Sequence, residues 1–590
     1  MNDGYDFWRR ALRKRMSRRR TLRAAALGAA GLVGAHAIAC GGDDEAEESP
    51  EAGSTADARP TPGGTGNGTI ADLYNMDPHK PIAFLTHVFG SWMYNRLMRF
   101  ATQRGVLPDD LWYEVVPELA QKVENPEPLN FVFTIHPEAK WHNVDPTFGR
   151  PVTAEDVVYN YNRFSSLSPN KGEWNMVDSV AASADNRQVT IKLKYPYGLF
   201  LKRAASFNDL WLVAPELIEA DGDAEKRSVG SGPFIFEHYQ RSVDLVFRKN
   251  PDYFEKDEWG NSLPYLDKLH LYVIPDTNTV MSQFFAGKLD TTYVQPALLD
   301  TIRQQAPKAR INSFLRNLTS FLYFEPASFT SNKPPFNDVR VRRAVSMAID
   351  RDGLLKLTSP EKGGEWPNIV SAGMGKKWWV DPKSDEMGEA GQWYKYDVAE
   401  AKALLKAAGF EDGFETRLHF SSTIYTNIIP YYPVVAEALP KLLREVGIKV
   451  TSVPEDYIGQ YFPQTYSQGN FDGMAWGLLT VLPDVAAYIE QSFLPFDAGG
   501  ARNMSRVDDQ ELVNNINGAV RTWDVEEVRQ ELRELQKYVS DQMYYIPGIN
   551  PYEYNASHVV GAGAVNTSGP TTFAFGTEGT MWGWRYKEYQ

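Results

Sequence analysis

The chain has 590 residues, 43% of them hydrophobic and 23% charged, and a formal net charge of −14. This length is enough for two to four domains with sizeable packed cores. The acidic balance argues against nucleic-acid binding, which needs a basic surface, and against adhesion to anionic lipid through surface charge. The only cysteine, Cys40, cannot form an intramolecular disulfide, so the fold does not depend on one.

The N-terminal segment, residues 1–39, differs in charge from the rest of the chain. It carries nine Lys and Arg against two Asp, a net of +7, which leaves −21 from Cys40 onwards. Its last part, Ala24–Ala39, is apolar over 16 residues. A membrane-spanning helix needs about 20 such residues. A basic region followed by a short apolar region is typical of a signal peptide, which we predict for residues 1–39.

Two short motifs refine this prediction. Ser17–Arg23 reads SRRRTLR and resembles the twin-arginine export motif, with Thr21 where that motif prefers Phe. Ala37–Gly41 reads AIACG and resembles a bacterial lipobox, with Ala37 where Leu is usual. The lipobox resemblance implies that Cys40 is the lipidation site; the alternative is a buried free cysteine.

The segment that follows is predicted to be a flexible tether over residues 40–68. Between residues 41 and 68 it contains seven Gly, three Pro and no apolar side chain larger than Ala. Such a composition cannot bury enough apolar surface to fold. A tether after a lipidated cysteine would hold a folded body away from the membrane.

A strand, a turn and a capped helix are predicted next. Apolar and polar residues alternate over Phe131–His136, which indicates a strand. Thr153 stands where an N-cap belongs, with Asp156 three residues later in a capping-box arrangement. The helix then has one apolar face formed by Val157, Tyr161 and Phe164.

The middle of the chain contains a second strand–helix pattern. Phe321–Phe324 is a continuous apolar run, which predicts a buried parallel strand. Asp338 is placed as the N-cap of a helix whose buried stripe consists of Val341, Ala344, Val345, Ala348 and Ile349. The arginines of this segment are interpreted as structural rather than ligand-binding.

Helices and strands alternate in the C-terminal part. A helix is predicted from Asp397 to a C-terminal Gly409, a strand around Leu418, and a helix through Val435 that ends at Gly447. A further strand begins at Ile448. This order predicts an α/β fold with a largely parallel sheet.

Several motifs, in the correct order, carry a resemblance to the family 5 solute-binding proteins, the peptide/nickel-type receptors of ABC importers. They are GRPVTAEDV at 149–157, VGSGPF at 229–234, PFNDVRVRRAVSMAIDR at 335–351 and FDGMAWG at 471–477. The resemblance extends from about Asp72 to about Pro547. It implies an α/β, two-lobed periplasmic-binding-protein-like fold of type II, with an extra domain in the N-terminal lobe.

The resemblance also implies a division of the folded body. We predict the first part of lobe I at 69–110, the extra domain at 111–226 and the second part of lobe I at 227–316. Lobe II is predicted at 317–547, and residues 548–590 are predicted to return to lobe I. The chain is expected to be a monomer.

We find no motif for catalysis, metal binding or a cofactor. The nine histidines are scattered, there is no His-x-x-x-His or Cys-x-x-Cys spacing, and no Gly-x-Ser-x-Gly segment is present. We therefore predict no catalytic residues, no metal site and no cofactor. Nickel is disfavoured as a ligand by the histidine spacing.

The resemblance supplies the candidate ligand-binding residues. Peptide-binding members carry an Asp that pairs with the α-amino group of the ligand, and Val481 stands at that position here. Asp484 remains but lies in the next place along. The replacement by Val481 disfavours a peptide with a free amine, since a buried ammonium without its carboxylate is costly. The remaining candidates, for which core packing or lobe linkage is the alternative role, are His79, Glu325, Trp366, Trp476 and Gly477.

The predicted function is that of an exported lipoprotein at the outer face of the cytoplasmic membrane. It would capture a small solute, an oligopeptide or an oligosaccharide, by hinge closure and deliver it to the permease of an ABC importer. One alternative is a secreted hydrolase with an unrecognised carboxylate pair. Another is a chemosensory receptor component with the same fold.

Overall fold

The computed structural model describes residues 62–73, 75–80, 86, 90, 92–100, 115–206, 210–257, 260–315, 318–372, 376–422, 429–480, 485–560 and 587–588. The predicted signal peptide, Cys40 and most of the predicted tether lie outside these residues. None of the helices in the described ranges combines the length and the apolar character needed to cross a membrane.

The described chain contains 21 strands and 13 α-helices, labelled in chain order. The strands are β1 Thr65–Ile70, β2 Met98–Phe100, β3 Val115–Pro117, β4 Ala120–Glu127, β5 Asn130–Ile135, β6 Val177–Ala182, β7 Gln188–Leu193, β8 Phe234–Gln240, β9 Asp244–Lys249, β10 Lys268–Val273, β11 Thr291–Val294, β12 Arg310–Leu315, β13 Leu318–Phe324, β14 Gly364–Glu365, β15 Phe414–Ser421, β16 Ile448–Glu455, β17 Met474–Thr480, β18 Ile546–Pro547, β19 Asn550–Ser557, β20 Val559–Val560 and β21 Lys587–Glu588.

The helices follow the same order along the chain. They are α1 Ala154–Leu167, α2 Phe200–Ala204, α3 Pro215–Asp221, α4 Thr277–Phe285, α5 Leu299–Gln305, α6 Ala327–Thr330, α7 Val339–Met347, α8 Arg351–Thr358, α9 Val398–Ala407, α10 Tyr432–Glu445, α11 Val485–Phe493, α12 Gln510–Val520 and α13 Val525–Gln542. A π-helix covers Tyr457–Tyr466, and a short 3₁₀ segment covers Lys171–Trp174.

The first sheet joins the start of the body to its middle, in the order β1-β10-β9-β8. Strand β1 pairs in parallel with β10, and Gly63 donates its backbone N–H to the Tyr265 carbonyl just before it. Strand β1 begins at Thr65, four residues inside the segment predicted as a tether. That prediction was wrong at its C-terminal end, because pairing with β10 orders a stretch whose own side chains are small and polar.

The second sheet, β4-β5-β7-β6, is antiparallel throughout and is covered by α1. The predicted strand at 131–136 is confirmed as β5. The helix starts directly after Thr153, as predicted, and the Thr153 backbone N–H donates to the Asp156 carboxylate at 2.9 Å. All strands of this sheet come from the segment predicted as the extra domain.

The third sheet has the order β16-β15-β17-β13-β18. Strands β15, β16 and β17 are parallel, which confirms the α/β prediction for this region. Strand β13 is fully buried over Phe321–Phe324 but pairs antiparallel with both of its neighbours, so the predicted parallel direction was wrong. A continuous apolar run reports burial on both faces of a strand and not the direction of its partners.

A fourth sheet has the order β11-β19-β12. Along the chain, its strands come directly before and after strands of the third sheet. The chain passes from the fourth sheet to the third between Leu315, the end of β12, and Leu318, the start of β13. It returns between β18 and β19, at residues 548–549. The division of the chain into lobes stays a prediction, and these two crossings are where a hinge between two lobes would lie.

The predicted helices of the C-terminal half are confirmed at their caps. Asp338 accepts a hydrogen bond from the Arg340 backbone N–H at the start of α7, and Asp397 accepts one from Glu400 at the start of α9. Gly409 and Gly447 both have left-handed backbone angles, φ 88° and 91°, after α9 and α10. The arginines of α7 bind protein groups: Arg342 donates to three backbone carbonyls and Arg343 pairs with Asp541.

Candidate functional site

The carboxyl ends of the three parallel strands of the third sheet meet at one edge. Strands β15, β16 and β17 end at Ser421, Glu455 and Thr480, and Leu318 at the start of β13 lies opposite Thr480. Both chain crossings arrive at this edge. In open α/β sheets, ligands bind in the crevice outside the carboxyl ends of the strands. We call this region the carboxyl edge and take it as the candidate site.

Two tyrosine hydroxyls hold the carboxyl edge together. The Tyr432 hydroxyl accepts the backbone N–H of Ser421 on β15, at 3.2 Å, and donates to the Trp476 carbonyl on β17, at 2.7 Å. The Tyr461 hydroxyl donates to the same carbonyl at 2.9 Å. A Cβ at Gly477 would lie 2.6 Å from the Tyr461 hydroxyl. Glycine at this position therefore lets the tyrosine approach the strand.

A charged group lies beside these tyrosines. The His419 imidazole contacts Glu455 at 2.7 Å and Asp472 at 3.0 Å, and Glu455 also accepts from the Thr465 hydroxyl at 2.6 Å. Burial disfavours the charged imidazole, but the hydrogen bonds to Glu455 and Asp472 outweigh it and raise the pKa of His419. His419 is therefore a cation over a wider pH range than a free histidine.

Several buried polar atoms near the carboxyl edge have no hydrogen-bond partner within the described residues. They are the Ser421 hydroxyl, the Trp476 indole nitrogen and both amide atoms of Asn550. Buried polar groups normally have partners, because an unpaired one costs about 1–3 kcal/mol. All of these groups are uncharged, so they suit the amides or hydroxyls of a polar solute.

Glu365 adds an acidic group next to Asn550. It is half-buried and lies directly opposite Asn550 in the β14–β19 pair. Burial raises the pKa of Glu365 to about 7, with Lys376 acting to lower it and Asp381 to raise it. Its carboxyl group is therefore largely protonated in mildly acidic solution and can act as a hydrogen-bond donor there.

The face of β13 that carries Tyr323 packs against α11 and a group of tyrosines. The Tyr323 ring packs edge-on against Tyr545, with ring centroids 4.9 Å apart. Burial raises the pKa of Tyr323 and of Tyr488 well above 10, so both phenols stay neutral. Gln491, one turn beyond Tyr488 on α11, is fully buried, and its amide has no partner in the described part of the chain.

The structure separates the predicted site residues. Trp476 and Gly477 are neighbours on β17, and Trp476 is 0% exposed, with its ring against Tyr432 at 6.1 Å. Glu325 follows the end of β13 at the opposite edge of the sheet, where it pairs with Lys333 at 2.7 Å. The ligand-binding roles of these three residues stay predictions.

His79 and Trp366 lie elsewhere. The His79 ring is buried, accepts from Arg163 at 2.9 Å and donates to the Trp211 carbonyl at 2.8 Å, so it belongs to a network within the N-terminal part. Trp366 donates its indole N–H to Asp352 at 2.9 Å. It borders a surface cavity of about 700 Å³ whose other lining residues include Pro382, Lys383, Asp385, Glu389 and Gln392.

Val481 and Asp484, the remaining predicted ligand-binding residues, lie outside the described residues, as does Cys40. Sequence reasoning missed Tyr432, Tyr461 and Asn550. The signal for Asn550 was present, because a polar residue follows the apolar run Ile546–Ile549 directly. Nothing in the local sequence of Tyr432 or Tyr461 shows that their hydroxyls reach a strand carbonyl. No cluster of metal-ligating side chains occurs in the described ranges.

The fold and the carboxyl edge define a two-lobed binding protein. The family model described as "Bacterial extracellular solute-binding proteins, family 5 Middle" matches residues 114–500. The chain belongs to this family of solute-binding proteins.

Relatives in sequence and in structure agree with this assignment. The dipeptide-binding protein DppE of Bacillus subtilis is 26% identical over 481 residues, which cover 76% of this chain and 80% of DppE. The periplasmic binding protein DppA from Helicobacter pylori, solved with the peptide STSA, has a TM-score of 0.74 at 20% identity and covers 89% of this chain and 99% of its own. AgaA from A. tumefaciens R10, solved with agropinic acid, has a TM-score of 0.72 at 21% identity, with 88% and 98% covered. These structures share the fold of this chain.

Proposed function

We propose that this protein captures a small solute between its lobes by hinge closure and delivers it to the permease of an ABC importer. The observation that carries the proposal is the position of the carboxyl edge beside Leu318 and Gly548, where the two chain crossings meet the third sheet. A solute bound there would contact lobe II and the hinge at once. Closure of lobe I over it would then be favoured by the added contacts.

The solute is proposed to be an oligopeptide or an oligosaccharide. The relative DppE is named as a dipeptide-binding protein, and DppA from Helicobacter pylori was solved with a peptide. The uncharged polar atoms of Ser421, Trp476 and Asn550 suit the amides of a peptide backbone as well as sugar hydroxyls. Val481 argues against a ligand whose free amine needs a buried carboxylate at that position.

We further propose that binding is not followed by turnover. Buried carboxylates in the described N-terminal part pair with arginines: Asp77 with Arg163, and Glu118 with Arg96 at 3.3 Å. A glycosidase-type mechanism needs two carboxyl groups that face a substrate across about 5–9.5 Å. Carboxylates bound to arginine in the core are not available for that role.

The cellular setting follows from the N-terminal motifs. We propose export through a twin-arginine signal over residues 1–39 and anchoring through a lipid on Cys40. The tether between Cys40 and the first strand would let a monomeric body reach the permease from the outer face of the membrane. Mass spectrometry of the mature protein would find diacylglycerol on the new N-terminal cysteine, and a Cys40→Ser variant would lose it.

A thermal-shift screen tests the binding proposal. The purified full chain is heated with di- to pentapeptides, with cello- and xylo-oligosaccharides, and with nickel. A solute at about 100 times its Kd stabilises the native state by about 2.7 kcal/mol, so one class of solute raises the Tm. If none of these solutes changes the Tm, the result would contradict the proposed ligand classes.

A further inference from the structure

The segment predicted as the extra domain contacts the C-terminal helices at a place away from the carboxyl edge. We call this contact the seam; it joins residues 171–203 to helix α11 and to residues 498–523. At its centre, the Arg203 guanidinium is fully buried. Its Nη1 donates to Glu173 at 2.7 Å, and its Nη2 donates to Glu490 at 2.8 Å. The Tyr197 hydroxyl donates to the same oxygen of Glu490 at 2.9 Å.

The two carboxylates come from opposite sides of the seam. Glu173 and Tyr197 belong with Arg203 to the segment predicted as the extra domain, whereas Glu490 lies 287 residues further on, in α11. If the seam opens, Arg203 keeps Glu173 and is not left as an isolated buried charge. An isolated buried charge would be strongly destabilising. Opening would separate Arg203 from Glu490 and leave it with Glu173, which makes Glu490 the separable partner of the two carboxylates.

The backbone fits equally closely along the seam. Gly172 and Gly499 touch: a Cβ at Gly172 would lie 2.4 Å from the Gly499 Cα atom. The Gly198 backbone N–H donates to the Thr522 carbonyl at 2.8 Å. Contacts of this kind exist only while the two sides are together, and they report directly on the state of the seam.

From these contacts we infer that Arg203 and Glu490 form a latch that holds the two sides of the seam together and so sets the balance between the open and closed forms. The inference deepens the proposed function and rests on its hinge closure. Helix α11 begins five residues after β17 ends at the carboxyl edge. The latch therefore ties the extra domain to the helix that follows the candidate site.

Hydrogen exchange of the ligand-free full chain tests the latch. The backbone amide of Gly198 is protected only when the seam is closed. In a Glu490→Gln variant, which keeps the shape of the side chain but removes its charge, we expect this amide to exchange about tenfold faster, the loss expected for one charge-assisted hydrogen bond. Glu490 is a better target than Arg203, whose removal would also take the guanidinium away from buried Glu173.

A second variant opens the seam without changing any charge. In Gly172→Ala, the new methyl group meets Gly499 and Ala498 across the seam. The Gly172 backbone angle lies outside the left-handed region, so alanine is not strained there. We expect faster exchange at Gly198 in this variant too. Amides of the β5–β7 ladder, such as those of Phe131 and Val189, are the internal control and should keep their protection.

Glu216→Gln is the matched control variant. Glu216 pairs with Arg150 wholly within the predicted extra domain, so its loss should leave exchange at Gly198 unchanged. Equal exchange at Gly198 in wild type, Glu490→Gln and Gly172→Ala would overturn the latch, as would an unprotected Gly198 in the wild type. These outcomes do not depend on finding a solute, so the latch and the proposed binding function can fail separately.

Discussion

His419 is the titratable residue of the carboxyl edge with the most strongly acidic surroundings. Its folded-state pKa is raised, so the protonated ring contributes stability that is fully present below about pH 6.5 and is lost as the pH rises through the folded-state pKa. We expect His419→Gln to lower the free energy of unfolding by about 1 kcal/mol below pH 6. This difference in the free energy of unfolding should become smaller above neutral pH. Urea unfolding at several pH values measures it.

The control for His419 is His238→Gln. The His238 side chain is 54% exposed, and its ring contacts Asp244 at 3.1 Å. His238→Gln should change the free energy of unfolding only slightly at every pH tested. A His419→Gln deficit that is the same at pH 5 and pH 9 would show that the charged ring does not stabilise the edge.

Glu365, like His419, makes the folded state less stable as the pH rises. Its folded-state pKa of about 7 lies above the ordinary value of 4.5, so the folded state binds its proton more tightly than the unfolded chain. Stability is therefore lost as the pH rises from about 4.5 to about 7. We expect Glu365→Gln to raise the Tm at pH 8 relative to wild type, with little gain at pH 4.

Glu361→Gln serves as the comparison for Glu365. Glu361 is exposed and pairs with Arg303 at 3.1 Å, so its neutralisation should not raise the Tm at pH 8. If both variants shift the Tm equally at pH 8, the effect comes from net charge and not from the burial of Glu365.

Asn550 tests the carboxyl edge as a binding site. Both of its amide atoms are buried without a partner in the described chain. We expect Asn550→Ala to weaken binding of the solute found by thermal shift by about tenfold, measured by calorimetry, because a hydrogen bond to a buried amide is lost. Asn515→Ala, at an exposed position of helix α12, is the control. Unchanged affinity in Asn550→Ala would place the solute elsewhere.

At the scale of elements, helix α9 shows how far local rules determine the fold. Its N-cap, Asp397, accepts the Glu400 backbone N–H at 2.9 Å. Asp397→Ala should destabilise the protein by about 1 kcal/mol in urea unfolding. Asp397→Ser retains an acceptor and should restore most of that loss. If serine and alanine destabilise equally, the carboxylate acts through charge and not as a cap.

Elements with strong local signals could be predicted from the sequence. The helices that start after Thr153, Asp338 and Asp397 carry their caps and apolar stripes in a few consecutive residues. The direction of β13 could not be predicted, because antiparallel pairing with β17 and β18 is decided by strands 150 to 230 residues away. Strand β1 was missed for the same reason, since its partner β10 lies about 200 residues further on.

The candidate site was predictable only in part. The motif around Trp476 pointed to β17, which leads to the carboxyl edge. The sequence did not show that Glu325 lies at the opposite end of the sheet or that His79 binds Arg163 and Trp211. Those facts depend on register and on contacts between distant segments, which local spacing does not encode.

At the scale of the whole molecule, the third and fourth sheets are joined by two crossings, and the seam joins the second sheet to the C-terminal helices. Both crossings meet the carboxyl edge, and the seam lies away from it; in the proposed cycle they serve as hinge and latch. A ligand can move such an equilibrium only as far as its affinity differs between the two forms. The structure therefore favours a binding cycle of opening and closing over a rigid pocket.

The central claim is that the chain binds a solute and releases it unchanged. The direct test is native mass spectrometry of the full chain with the solute that raises its Tm, followed by recovery of that solute after denaturation. We predict one solute per chain, recovered intact after prolonged incubation. Recovery of cleaved solute would contradict the claim and point to a hydrolase, and the absence of any bound solute would contradict the binding site.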